Sequence, residues 1–382
     1  MKSLKKRNKQ ALGAALVAAA ISMPFSHAAF AEAAPEKGIV AFKYLNYEDT
    51  QTNLPEDTKR ITVNAFSVMG MAPIAGKWSI STTYTNDSVS GASPEYHSHV
   101  VSGASAHDKR QAVDLGVTHY FQKGTLTVGN SYSSENDYIS RGYSAQGTLE
   151  SEDKNTTYAL GGSYTTDTIN PTNNKSSFFD KRTIAGLAGV TRVLTKNDIV
   201  QLNLGYSKGR GYFDDPYKLF DVRPDRRESK TVMSRWNHHF DGSDGTGRFS
   251  YRFYTDSWGV RAHTLGAEYY QPMSNNWALT PSARYYTQTA ADIYLPVDPA
   301  KPGEPAIPAA GVANYSNDQR LSAYGAVTLG IKVEKRIANE WLVDARFDQY
   351  LQRATWCLTG GGDKNLDHFS YRSIQLGLSR QF

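Results

Sequence analysis

The last nine residues, Ile374 to Phe382, alternate large apolar side chains with small or polar ones and finish on an aromatic ring. Successive side chains of a strand project to opposite faces, so Ile374, Leu376, Leu378 and Phe382 share one face and Gln375, Gly377, Ser379 and Gln381 the other. A wall with lipid on one side and a polar interior on the other needs this two-faced strand. The tail therefore constrains the solvent as well as the element, and predicts an all-β fold: a transmembrane antiparallel up-and-down β-barrel.

The spacing of Gln375, Gly377 and Phe382 resembles the C-terminal signal by which the barrel-assembly machinery recognises bacterial outer-membrane barrels. Arg380 departs from it, standing where a penultimate aromatic is usual, and has to snorkel to the periplasmic rim. The opposite end agrees. Lys2, Lys5, Lys6, Arg7 and Lys9 precede an apolar run from Ala11 to Ile21 and a small-x-small site at Ala29-Phe30-Ala31. Residues 1–31 read as a cleaved secretory signal peptide and 32–382 as an outer-membrane barrel with long extracellular loops. Removing the leader's five cations from the 42 Lys+Arg of the chain leaves 37, equal to the 37 Asp+Glu. The basic balance belongs to the leader, and nothing calls for a nucleic-acid partner.

Beyond the leader, no apolar run approaches the ~20 residues of a membrane helix, so a closed barrel is the way such a chain satisfies its backbone in lipid. Twenty-four tyrosines, fifteen phenylalanines and six tryptophans suit aromatic girdles. The single cysteine, Cys357, excludes an internal disulfide and reads as incidental. Alternation is clean at Trp78–Thr85, Val113–Phe121 and Val200–Tyr206, and tight turns at Gln122-Lys123-Gly124 and Thr195-Lys196-Asn197-Asp198 belong on the periplasmic side. Lys181 to Leu194 is ambiguous, with apolar residues on both parities. Fifteen strands are evident, and parity between the turns requires one more, placed at Tyr138 to Gln146, for about sixteen. Long outer loops are expected near 48–59, 87–109, 167–180, 209–229, 290–319 and 353–368, with a bulge at Pro281, which lacks a ladder donor.

Once the lipid face is set, the opposite parity defines the lumen. Arg235, Arg248, Arg252, Arg284, Lys332 and Arg346 point inward there, with Asp344 and Asp348. An arginine on the lipid face at the midplane costs roughly 2–4 kcal/mol, which supports this register. Two readings of these charges stay open: a salt-bridge lattice bracing the barrel, or a basic wall selecting anions. His97, His99 and His107 share one loop without the carboxylate or thiolate spacing of a metal site, so neither metal nor cofactor is expected. Ser88, His97 and Asp87, or Ser257, His263 and Asp256, supply hydrolase residue types but no Gly-x-Ser-x-Gly elbow or His-Glu-x-x-His accompanies them. A non-enzymatic reading is therefore preferred.

Specific strings then carry a resemblance: Asp87-Ser88-Val89-Ser90-Gly91-Ala92-Ser93-Pro94, Ser134-Glu135-Asn136-Asp137-Tyr138, Lys154-Asn155-Thr156-Thr157, Asp215-Pro216-Tyr217, Arg223-Pro224-Asp225-Arg226, Tyr251 through Gly259, and Arg284-Tyr285-Tyr286. Together they resemble the bacterial family labelled domain of unknown function 3570. The resemblance implies a Gram-negative outer-membrane protein, supplies no catalytic residues, and hints at envelope redox or export. Most of these strings fall where strands meet outer loops, so Asp87, Glu135, Asp137, Asp215, Arg223, Arg226, Asp256, Asp292 and Arg320 are expected to crowd one mouth. Turn chemistry accounts for such residues too. The expectation is a porin-like channel or narrow transporter in the outer-membrane lipid, passing a small polar solute. A closed scaffold or partner-binding barrel, linked to periplasmic redox or export, and an outer-membrane enzyme are the alternatives.

Overall fold

The computed structural model describes residues 34–51, 61–91, 108–174, 176–301, 305–338 and 340–382. The leader, and the loop with His97, His99 and His107, lie outside them. The strands are β1 (Ile39–Gln51), β2 (Ile61–Ile74), β3 (Trp78–Gly91), β4 (Asp108–Phe121), β5 (Gly124–Ser134), β6 (Tyr138–Glu150), β7 (Thr156–Ile169), β8 (Phe179–Val193) and β9 (Asp198–Gly211). They continue with β10 (Asp221–Val222), β11 (Arg226–Phe240), β12 (Gly245–Asp256), β13 (Arg261–Met273), β14 (Trp277–Gln288), β15 (Tyr315–Ser316), β16 (Tyr324–Ile337), β17 (Trp341–Arg353) and β18 (Phe369–Gln381). All but β10 and β15 form one closed antiparallel barrel of sixteen strands, sealed where Ile39 of β1 meets Gln381 of β18. Closure leaves no unpaired sheet edge, as lipid requires.

Both described ends of the chain lie on the side of the short turns. One of these, at Asn275-Asn276, puts both residues at positive φ (59° and 62°), the backbone that matches the twist of a tight hairpin. Outward rows such as Phe42, Val68, Ile80, Leu115, Leu160, Leu204, Leu329 and Leu376 are exposed apolar side chains, a surface suited to lipid and not to water. The strand placed by parity at Tyr138–Gln146 is β6, and the far-end connections after β7, β9, β14 and β17 fall at predicted loop regions, while 52–60 and 92–107 lie outside the described residues.

Two expectations are corrected and one ambiguity is resolved. The β13–β14 ladder skips Tyr269 and Tyr270 opposite Thr280 and Pro281 but resumes in unchanged register, so Pro281 removes hydrogen bonds without adding a bulged residue. The ambiguous segment is β8, with Ile184 outward and Leu187 inward; Leu187 lies across from Gly161 and Gly205, which leave it room. The lumen is also not uniformly polar. Leu45 and Tyr47 of β1 pack inside against Ile61, Val63 and Ala65 of β2, with Tyr371 beside them.

Over the far mouth, loops fold back. Asp221 and Val222 pair with Ser316 and Tyr315, joining the 212–225 loop to the 289–323 loop. Beneath them Trp258, Val260, Ala291 and Leu321 form an apolar cluster with Phe213, Tyr254, Ile293 and Tyr294. The two loops thus make a cap with a core of its own, and Gln288 at the end of β14 ties it down by donating to the carbonyls of Arg320 (2.8 Å) and Ser322 (2.7 Å).

Candidate functional site

Alternation on β11 to β18 brings the predicted lumen charges onto the inward face, and register sets which of them meet. Hydrogen-bonded neighbours place Arg235, Ser250, Gly266, Arg284, Thr328, Tyr350 and Tyr371 on one inward row across β11, β12, β13, β14, β16, β17 and β18. The next inward row toward the short turns carries Arg248, Glu268, Ser282, Gly330, Asp348 and Ser373.

The charges then divide. Arg346 is held by Asp348 (Nε to Oδ2 2.8 Å) and lies 3.9 Å from Glu268, which is also 3.9 Å from Arg248. Lys332 pairs with Glu334 at 2.8 Å. Asp344 occupies the space left by Gly377, where a Cβ would collide with its carboxylate, and it sits in the field of Lys43. Gly377 thus has a packing reason for being glycine. Arg235, Arg252 and Arg284 face no carboxylate among the described residues; Arg252 lies over the Tyr254 ring (5.4 Å) and Arg284 over Tyr286 (5.9 Å). Arg235 and Arg284 are exposed and Arg252 half-buried, so water reaches this wall. Phenol rings adjoin them, Tyr350 stacked on Tyr371 (4.6 Å) along the same row and Tyr286 on Tyr324 (5.6 Å) nearer the mouth.

The opposite wall is different in kind. Inward positions include Ser81 and Thr83 on β3, Gly116 and Thr118 on β4, Thr127, Gly129 and Ser131 on β5, and Gly142 and Ser144 on β6. These side chains are too small to fill a barrel of sixteen strands.

At the far mouth the structure gathers Asp215, Arg223 and Arg320, together with Asp214, Asp221 and Asp318, which the sequence reading did not single out. Arg223 donates to Asp221 through Nε (2.8 Å) and Nη2 (2.7 Å), and to Asp318 at 2.9 Å. Arg320 donates to Asp318 (Nε to Oδ1 2.8 Å) and approaches Asp215 at 3.8 Å. Burial opposes ionisation of Asp318, but the positive charges of Arg320, Lys218 and Arg223 override it and hold the carboxyl well below the usual range. Burial raises Asp214 and Asp221, outweighing the opposite pull of Arg223 on both. Asp137 joins through the Tyr217 hydroxyl, which donates to it.

The remaining predicted mouth residues are dispersed. Asp87 pairs with Arg110 at 2.9 Å on β3 and β4. Glu135 closes a short outer turn, its N–H donating to the Tyr138 carbonyl. Asp292 packs its carboxylate against Gly259, whose φ of +87° and lack of a Cβ allow that approach. Asp256 accepts from Arg227 (Nε 3.0 Å) and from the Trp258 and Val260 N–H groups. Arg226 is the correction: parity turns it outward, and its neighbour Arg227 is the one that enters the mouth, 4.3 Å over the Trp258 ring. Asp–Arg pairs two residues apart in chain, such as Asp221/Arg223 and Asp318/Arg320, were the available sequence signal for this network.

The second hydrolase candidate does not assemble. His263 lies on the outer face with Nδ1 2.8 Å from the Tyr251 hydroxyl, while Asp256 and its partners face inward. Among the described residues, no group of three or more His, Cys, Asp or Glu side chains is arranged to hold a metal ion. Cys357 lies 3.2 Å from the Gln288 carbonyl, to which it donates. At the C-terminus, Arg380 sits on the outer face at the rim, 3.2 Å from Glu340 and 5.3 Å over Trp341, while Phe382 and Gly38 exchange backbone hydrogen bonds of 3.0 Å.

A family model described as Protein of unknown function (DUF3570) matches residues 13–373. The chain belongs to this family. No curated relative matches the sequence. The DUF3570 barrel is similar to a bacterial polysaccharide outer membrane secretin, with a TM-score of 0.51 and 9% identity over 90% of this chain and 98% of that one. OccK9 (OpdG) of Pseudomonas aeruginosa matches with a TM-score of 0.46 and 10% identity, over 91% and 98% of the two chains. The siderophore receptor PirA of Pseudomonas aeruginosa matches with a TM-score of 0.44 and 9% identity; 84% of this chain covers 57% of the receptor, little more than half its length. At these identities the likeness is one of fold, that of an outer-membrane barrel.

Proposed function

We propose that this barrel is a porin-like channel or narrow transporter for a small polar solute in the bacterial outer membrane, reached by secretion on its leader and insertion by the barrel-assembly machinery. The observation that carries the reading is the asymmetry of the lumen. A wall of mostly small Ser, Thr and Gly side chains on β3 to β6, with Asp114 among them, leaves space, and it lies across the lumen from a wall where Arg235, Arg252 and Arg284 hold positive charge without a carboxylate partner. Unpaired guanidiniums in a wetted passage favour anions, and the capping loops narrow what reaches them. Arg248, Lys332 and Arg346, with Asp348, Glu334 and Glu268, are the bracing lattice instead.

The cap favours a second reading, a closed scaffold or partner-binding barrel, because its apolar cluster can seal the mouth. Single-channel recording of the purified protein in planar bilayers separates the two. Stepwise conductance with a reversal potential favouring anions supports the channel; a correctly folded protein that stays silent supports the scaffold.

A further inference from the structure

Arg226, turned out of the mouth by parity, has Arg210 of β9 as its direct cross-strand neighbour, and Arg210 has Arg182 of β8 on its other side. Three arginines therefore stand side by side on one row of the outer face, each exposed. Directly opposed residues in antiparallel strands hold their Cβ atoms about 5 Å apart, and like charges there repel. Nothing among the described residues relieves them. The one acid within the rows, Glu228, is taken by Lys208 (2.5 Å) and by the Tyr206 hydroxyl. Lys230 and Arg261 extend the patch one further row toward the short turns, both exposed and both flanking Thr255. Asp180 and Asp225 lie nearer the loops and pair with none of these cations.

Two other outward arginines at the barrel rims are each partnered by an acid, Arg372 by Glu48 (3.1 Å) and Arg380 by Glu340 (3.2 Å). The depth of the arginine row is informative as well. Leu204, Tyr206 and Val232 lie on the same outer face below it and exposed Ile184 stands level with Lys208, so the cations begin at the level of Tyr206, overlap the upper edge of the apolar surface, and stop at the outer rim. Aromatic residues of an outer-membrane barrel mark the lipid–water boundary. Arginine binds phosphate oxygens through its planar fork, and several guanidiniums at one depth match a phosphorylated headgroup.

We propose that Arg182, Arg210 and Arg226, assisted by Lys208 and Lys230, form a binding site on the outside of the barrel for the phosphates of a phosphorylated glycolipid in the outer leaflet. The site rests on the membrane placement of the barrel and is independent of whether the lumen conducts. Its occupant relieves the repulsion along the row and anchors β8, β9 and β11, the strands that carry the 212–225 side of the cap.

Native mass spectrometry of the full-length mature protein, refolded in detergent and titrated with diphosphorylated lipid A, tests it. Wild type is expected to retain lipid A, and the variant Arg182→Gln/Arg210→Gln/Arg226→Gln to bind on the order of tenfold more weakly. Arg192→Gln, an outward arginine at the opposite rim, is expected to bind as wild type does. Heat-modifiable gel mobility establishes that each variant is folded, and Arg210→Gln alone supplies a milder change. Equal retention by wild type and triple variant, or equal retention of dephosphorylated lipid A, overturns the proposal. Retention of inorganic phosphate with displacement of lipid A also overturns it, since the site then serves a free anion.

Discussion

Arg346 reaches back along its own strand to Asp348, Nε to Oδ2 2.8 Å, whereas Arg284 on the neighbouring wall meets only the Tyr286 ring at 5.9 Å. Two arginines of the same lumen thus have different electrostatic roles. Arg346→Gln strands a buried carboxylate and should cost about 1–3 kcal/mol, read as a lower unfolding midpoint in detergent. Arg284→Gln leaves no partner behind and should change stability by less than about 0.5 kcal/mol while shifting the reversal potential toward cations. Loss of stability in Arg284→Gln with unchanged selectivity would return it to the bracing set.

Inside and outside are separable by chemistry. Arg252 faces the lumen and Phe253 the lipid, so Phe253→Arg should destabilise by roughly 2–4 kcal/mol, and Arg252→Phe by less. In a Cys357→Ser background, a water-soluble thiol reagent should label Arg252→Cys and Arg346→Cys faster than Phe253→Cys and Phe347→Cys. The opposite order of labelling would invert the register of β12 and β17.

The cap should respond to pH in two stages. Asp318, held low by Arg320, Lys218 and Arg223, lends stability that is fully present above the unfolded carboxylate value and is lost as pH falls through its folded one. Asp214 and Asp221, raised by burial, act in the opposite sense, and their cost at neutral pH is relieved as pH falls through their raised values. Protease cleavage in 289–323 should therefore slow on mild acidification and accelerate only below the ordinary carboxylate range. Asp318→Asn should be cleaved rapidly at neutral pH; resistance equal to wild type there would remove the network as the latch.

Assembly should depend on the tail. The Phe382 ring packs where a side chain on Gly38 would sit, and the two residues close the seam between β1 and β18. Deleting Phe382 should reduce heat-modifiable, membrane-inserted protein more than any single loop substitution does, and Gly38→Val should reproduce part of the defect by displacing the ring. Normal insertion of both would leave the tail without a recognition role.

Alternation was enough to read the barrel, because a strand's period of two converts each apolar row into a statement about which face meets lipid. It set sixteen strands by parity, put Arg235, Arg252, Arg284 and Arg346 inside, and placed the long connections at one end. It was silent on what each inward charge would meet. Whether Arg346 finds Asp348, or Arg284 finds only a ring, depends on cross-strand register and rotamer, which no residue encodes alone. Loops defeat the period altogether: Arg226 and Arg227 are adjacent, and only the end of the 212–225 excursion decides which of them turns inward. The network of Asp221, Arg223, Asp318 and Arg320 spans two loops about a hundred residues apart in sequence, joined by β10 and β15. Local pattern determined the wall, its lipid face and its count. Tertiary structure alone decided the pairing of its charges and the closing of its mouth, since both arise between segments that meet only once the barrel has closed.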